Sequence, residues 1–281
     1  MSRAPAAGRL SINQKTIEGA DLPAAVAACA EAGVGGIGLW REKVAEVGAQ
    51  EATRLVGDAG LLVTSLCRGG FFTVDTPDRA ARAADNRQAV EEAAAVGTDV
   101  LVLVCGGMNG LDLDSARRLV LDGIEALLPA AAECGVRLAI EPLHPMFCAD
   151  RSVVVTLGQA LDIAERFDAA HVGVVVDAYH VWWDPEVEAQ IARAAGRILS
   201  FQICDWLVPL PDPLLGRGLP GEGCIDLRRL GRAVAATGYD GLVEVEVFNR
   251  TVWARPAEET IRDLVDRFDR LTGVGQRNRG W

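Results

Sequence analysis

Eight short apolar runs alternate with helix-forming segments along this chain, and that alternation restricts its fold more than any other feature. The runs cover residues 10–16, 36–40, 61–66, 99–104, 137–140, 172–176, 198–203 and 242–247. The segments that follow them, 22–33, 51–60, 78–97, 115–135, 156–167, 185–196, 227–238 and 258–271, carry helical patterns, and most stop at a glycine just before the next run. A stretch such as VGVVV at 172–176 is apolar throughout, the pattern of a parallel strand buried on both faces. Strict strand-then-helix alternation predicts a parallel sheet, and eight units predict its closure into a single α/β (β/α)8 TIM barrel. An open doubly wound sheet would carry a Gly-rich phosphate loop after its first strand, and SINQKTIEGAD is not one. The expected organisation is a flexible leader over residues 1–9 and one catalytic barrel over 10–275, within a chain of 281 residues.

Composition narrows the partners. A net charge of −11 argues against a nucleic-acid backbone or an anionic membrane, both of which need positive patches. No apolar run approaches the length of a membrane span, and MSRAPAAGRL lacks the apolar region of a secretory signal. Seven dispersed cysteines with no CxxC fit neither a disulfide framework nor a structural zinc site. They read as small core hydrophobes of a protein expected in the reducing cytoplasm.

In a barrel of this kind the chemistry sits at the C-terminal ends of the strands. That rule selects Lys15, Trp40, Arg41, Arg68, Cys105, Glu141, His144, Asp177, His180, Gln202, Asp205 and Glu246. Four of the runs end in oxygen donors: RLAIEPLHP with Glu141, VVVDAYH with Asp177, ILSFQICDW with Gln202 and Asp205, and LVEVEVFN with Glu244 and Glu246. A carboxylate at such a place is costly to desolvate unless a cation meets it. One shared cation at the mouth of the barrel answers that cost, and oxygen ligands suit Mg²⁺ or Mn²⁺. Ion pairs closing the rim answer it as well. Glu244 has the side-chain parity of Glu246 but lies a layer deeper, as a buried, paired structural carboxylate would. His180 reads as ordering the shell around the cation or touching substrate, and His171 as structural. Trp182, Trp183 and Trp206 either wall the pocket or pack over the barrel top.

The ordered set Glu141 in IEPLHP, Asp177 and His180 in DAYH, Gln202 and Asp205 in QICDW, Arg217 with Gly221-Glu222-Gly223, and Glu246 after GYDG resembles the xylose isomerase-like TIM-barrel superfamily, the sugar phosphate isomerase/epimerase family. The resemblance implies a divalent metal held by Glu141, Asp177, Gln202 and Glu246. Mn²⁺ or Mg²⁺ are expected first, with Zn²⁺ and Co²⁺ as other members of the class. It implies Glu246 or Glu141 as the base, His144 as the group returning the proton, and His180, Arg217 and Asp205 as substrate contacts. Arg68 joins them by position. Gln202 departs from the commoner His, which shifts preference toward harder cations, and the dehydroshikimate dehydratase branch has Gln there too. Phe147 stands where the tagatose epimerase branch carries a further Glu.

The expected function is therefore a metal-dependent isomerase or epimerase of a small polyhydroxylated carbonyl compound, a keto sugar or inosose, acting through an enediolate. The alternatives are a lyase of the same superfamily (dehydroshikimate or inosose dehydratase, or a C-glycoside-cleaving subunit) and a non-catalytic binding barrel. The abasic-DNA branch needs extra histidines, and three histidines with a charge of −11 argue against it. Aromatics after the strand ends and the Pro- and Leu-rich loop 207–219 predict a homo-oligomer.

Overall fold

The strand order in the computed structural model, which describes residues 6–74 and 78–273, follows the chain around a closed ring. The strands are β1 (Leu10–Asn13), β2 (Gly36–Trp40), β3 (Leu62–Gly70), β4 (Val100–Val104), β5 (Arg137–Glu141), β6 (Val172–Asp177), β7 (Ile198–Ile203), β8 (Asp205–Trp206), β9 (Arg217–Gly218) and β10 (Val243–Val245). Parallel pairing runs β1-β10-β7-β6-β5-β4-β3-β2 and closes β2 back onto β1. The two-residue strands β8 and β9 form a separate antiparallel pair over the mouth. Eight parallel strands in a ring are the (β/α)8 barrel that the alternation predicts.

Local chemistry starts and stops the helices where the sequence indicates. Asp21 accepts from Ala24 N at 2.9 Å, Asp112 from Ser115 N at 2.8 Å and Asp226 from Arg229 N at 2.9 Å, each satisfying a first-turn donor. Gly33 and Gly135 both turn the chain back toward the next strand at a φ near +70°, a conformation that costs glycine little. The barrel interior is filled by Cys67, Val100, Val102, Ala139, Val175 and Leu199, with Trp40 above them. A larger apolar layer lies between sheet and helices.

Several boundaries differ from the sequence reading, for identifiable reasons. The first strand ends at Asn13, because the Asn13 side chain caps a 3₁₀ turn over Gln14–Ile17. The second expected helix spans Ala49–Asp58, and a further helix the sequence reading did not include, Arg41–Val47, precedes it across Gly48 with φ +86°. The third strand runs on to Gly70, with a register shift between Cys67 and Gly69 that places Arg68 in an irregularity. Ala6–Arg9 forms a 3₁₀ turn. Residues 1–5 of the expected leader, and the last two residues of the expected barrel range, lie outside the described residues. Among the described residues no helix is long and apolar enough to cross a membrane.

Candidate active site

Four strands deliver the expected ligand set to one end of the barrel. Glu141 ends β5, Asp177 ends β6, Gln202 lies on β7, and Glu246 follows β10. Asp177 and Gln202 are register partners across the β6–β7 ladder, and Gln202 faces Glu244 across β7–β10. All four residues are buried. Ligand atoms of Glu141, Asp177 and His180 lie within 4.8 Å of one another. Glu246 turns instead to Arg217, whose Nη1 donates to Glu246 Oε2 at 2.9 Å and lies 3.5 Å from Asp177 Oδ2. The Arg217 guanidinium is itself held between the rings of Tyr179 and Phe248, at 4.5 and 4.7 Å.

The ionisable groups at this point are not matched in number. Three buried carboxylates, Glu141, Asp177 and Glu246, face the single guanidinium of Arg217, so full ionisation of all three would leave two negative charges without a partner. Burial, together with the charges of Glu246 and Asp177, pushes Glu141 well above the usual carboxylate range. Burial raises Asp177 to about 6 and Glu246 to about 7 even though Arg217 pulls both down. Carboxylates that resist ionisation this strongly are short of a positive partner. Gln202 adds a second sign of the same kind, for its Oε1 is buried without a hydrogen-bond partner. An orphaned amide oxygen beside three buried carboxylates fits a divalent, oxygen-seeking cation.

A network one layer deeper sets the orientation of Gln202. Glu244 accepts from Asn13 Nδ2 at 2.7 Å, Thr64 Oγ1 at 2.6 Å and Ser65 Oγ at 3.0 Å. Gln202 Nε2 donates to the same carboxylate at 3.3 Å. A carboxylate surrounded by donors accepts the NH₂ end of the amide, so the oxygen end is left for the cluster. The structural, paired role expected of Glu244 is the one its contacts describe. Gly38 on β2 provides the room, since a Cβ there would come within 2.6 Å of Glu244 Oε1. Gly38→Ala is therefore expected to destabilise the protein by about 1–3 kcal/mol through overpacking of this buried network. Thermal denaturation checks it, and an unchanged Tm would show that Glu244 has slack.

The two histidines have different partners. His180 Nδ1 accepts from the backbone N–H of His144 at 3.0 Å, which leaves the proton of the neutral ring on Nε2, 3.5 Å from Asp177 Oδ2. Burial and the nearby charge of Arg217 hold His180 well below its ordinary pKa, so it stays neutral. His144 is half-buried, and burial lowers its pKa as well. Its Nδ1 accepts from Met146 N at 3.3 Å, and its ring lies 4.9 Å from Trp206 and 5.6 Å from Trp183. Trp206 stacks in turn on Tyr179 at 4.9 Å and meets Trp182 at 5.5 Å. The tryptophans thus pack together over the barrel top beside His144.

The remaining positions divide clearly. Asp205 directs its carboxylate to backbone, accepting from Trp206 N, Gly221 N and Ile225 N at 2.9–3.0 Å. It ties down the loop that carries Arg217. Lys15 is paired with Glu18 and Glu42, and Arg41 with Asp85 and Glu92. Arg68 lies at the β3 end over the ring of Phe71, at 4.1 Å. Sequence reasoning missed Arg151, which lies after β5 and faces the ring of Phe147, at 5.9 Å. No motif marked Arg151, because it follows its strand by ten residues in an irregular loop. All seven cysteines are free.

Comparison with known proteins accords with this geometry. Residues 26–271 match the family described as xylose isomerase-like TIM barrel. A crystal structure of a protein from Sinorhizobium meliloti 1021 superposes with a TM-score of 0.90 at 49% identity, over 94% of this chain and 98% of that one. A 3-dehydroshikimate dehydratase of Pseudomonas putida is 26% identical over 263 residues, 86% of this chain and 38% of its own length. An inosose isomerase of Halalkalibacterium halodurans is 27% identical over 154 residues, 53% of each chain. This chain thus spans about two fifths and about half of the length of those two curated relatives. With the match running through nearly the whole barrel, the chain belongs to the xylose isomerase-like TIM barrel family.

Proposed function

We propose that this protein is a divalent-metal-dependent isomerase or epimerase that removes the α-hydrogen of a small polyhydroxylated carbonyl compound. The observation that carries the reading is the gathering of three buried carboxylates, Glu141, Asp177 and Glu246, around one guanidinium, beside the partnerless amide oxygen of Gln202. Those four residues would hold the cation, Mn²⁺ or Mg²⁺ by the chemistry of their oxygens. Once bound, it supplies a positive charge that polarises a substrate carbonyl and acidifies the adjacent C–H.

The chain's own residues do the rest. Burial raises the pKa of Glu246 above the ordinary carboxylate value, which makes it a stronger base than a free carboxylate. Arg217 grips Oε2 of Glu246 and leaves Oε1 to take the hydrogen. The proton taken by Glu246 is the one given back, and His144, with its ring proton on Nε2, offers that N–H to the substrate oxygen where charge develops. A donor of that kind also serves a departing hydroxyl. Dehydration is therefore the second reading, favoured by the likeness to a 3-dehydroshikimate dehydratase over 86% of this chain.

Incubation with inosose, keto sugars and 3-dehydroshikimate in deuterated water tests the reading by NMR. Deuterium is expected at the α-carbon with Mn²⁺ present and absent after chelation. Gln202→Ala is expected to weaken Mn²⁺ binding by at least about tenfold, with excess Mn²⁺ partly restoring exchange; calorimetry reads the affinity directly. A protein that binds no divalent ion and exchanges none of these compounds would be a non-catalytic barrel.

A further inference from the structure

Two guanidinium groups at the same rim have no acidic partner among the described residues. Arg68 and Arg151 make no ion pair and no side-chain hydrogen bond there, in a chain with 39 acidic and 28 basic residues. Arg82, on the same Phe71 ring at 5.8 Å, is paired with Asp85 at 2.7 Å. The contrast is local: one arginine of the group is neutralised and two are not.

Gly106 joins the two loops that carry them. Its N–H donates to the carbonyl of Arg151 at 2.9 Å, while Phe71 N and Phe72 N donate to Val104 and Cys105 on the same loop, at 2.7 and 3.0 Å. A Cβ at Gly106 would lie 2.3 Å from Thr73 Oγ1 and 3.2 Å from Phe71 Cα, so the two arginine-bearing loops close on one glycine. Arg68 sits in the register irregularity between Cys67 and Gly69, with its guanidinium over Phe71. Phe147 carries Arg151 on one side and presents its ring to His180 on another, with centroids 5.9 Å apart. Through Phe147, Arg151 therefore lies on the His180 side of the carboxylate cluster. Burial is the largest cause that lowers the pKa of Arg68; the charges of Arg151 and Arg82 lower it as well, while Cys67 and Glu42 raise it.

We propose that Arg68 and Arg151 form an anion-binding pair for a carboxylate of the substrate, so that the compound acted on is an acidic polyhydroxylated carbonyl compound rather than a neutral sugar. This rests on the proton-abstraction chemistry proposed above. The aromatic rings cover guanidinium faces and leave N–H edges free, and such edges match a planar carboxylate. A protein of net charge −11 repels an anion unless a local positive site is built for it.

The test uses Mn²⁺-loaded protein with 3-dehydroshikimate and its methyl ester, which share ring, carbonyl and hydroxyls and differ in charge. Dissociation constants, or kcat/KM where turnover occurs, are expected to favour the acid by about 10- to 100-fold. The preference should fall to near unity in Arg68→Ala and in Arg151→Ala, and remain intermediate in Arg68→Lys, with Tm and Mn²⁺ affinity showing that each variant is folded. Equal binding of acid and ester, or a preference that survives both alanine variants, overturns the pair. Inorganic phosphate displacing the acid at lower concentration than acetate overturns the assignment to a carboxylate. Exchange into inosose without any preference for acid over ester overturns the pair and leaves the proton-abstraction reading standing. A preference for the acid without exchange supports the pair and sinks that reading.

Discussion

Glu246→Gln is expected to lower α-hydrogen exchange by about 10²–10⁴-fold, the range a positioned general base contributes, while much of the metal affinity survives. The substitution keeps the shape of the side chain and one oxygen, but an amide cannot accept the hydrogen as a carboxylate does. Glu246 is buried and its Oε2 is fixed by Arg217 at 2.9 Å. Deuterium incorporation by NMR measures the base, and calorimetric Mn²⁺ titration measures the site separately. Exchange that persists undiminished would hand the base role to Glu141 or His144. Loss of both exchange and Mn²⁺ binding would mean that Glu246 acts mainly as a ligand.

The second large effect concerns stability. Asp177 and Glu246 rise from ordinary values of 3.8 and 4.5 to about 6 and about 7 on folding, chiefly through burial, and Glu141 rises as well. A folded-state pKa above the unfolded value means the native protein holds the proton more tightly. Protonation therefore favours the fold, and the contribution is complete below the unfolded values. It is lost as the pH climbs through about 6 and about 7, the folded values of Asp177 and Glu246. Metal-free protein should accordingly lose thermal stability as the pH rises across that window. A cation replaces those protons, so Mn²⁺ should bind more tightly as the pH rises and reverse the loss. At a hundredfold excess over Kd the gain is about 2.7 kcal/mol, or about 5–10 °C in Tm for a chain of this size. Calorimetric scans from pH 5 to pH 8, with chelator and with Mn²⁺, read both curves. A chelated protein whose Tm stays flat or rises across that range would contradict the picture of three carboxylates short of a cation.

Much of this molecule is local in origin. Runs such as VGVVV at 172–176, the caps Asp21, Asp112 and Asp226, and the stops Gly33 and Gly135 act within one or two turns of themselves. That is why the alternation sufficed to place eight strands in a parallel ring and to locate Glu141, Asp177, Gln202 and Glu246 at its mouth. The boundaries that moved did so where a side chain or glycine acted against the run, as Asn13 does in capping the turn after β1.

The partnerships inside the site are of another kind. Which end of the Gln202 amide faces the cluster depends on Glu244, which in turn answers to Asn13 and Thr64, 231 and 180 residues away in the chain. The proton position on His180 depends on the backbone of His144, and the orientation of Glu246 on Arg217. Asp205 supports that arginine's loop only because the fold brings Gly221 and Ile225 to its carboxylate, and the Arg151 loop meets the Phe71–Thr73 segment only at Gly106. The sequence by itself determined the barrel and the residues at its mouth, because hydrophobic period and chain ends of strands are local properties. Charge balance, tautomer and amide orientation were decided by the tertiary structure alone, because a buried polar group takes its state from whichever distant partners the fold brings within hydrogen-bond reach.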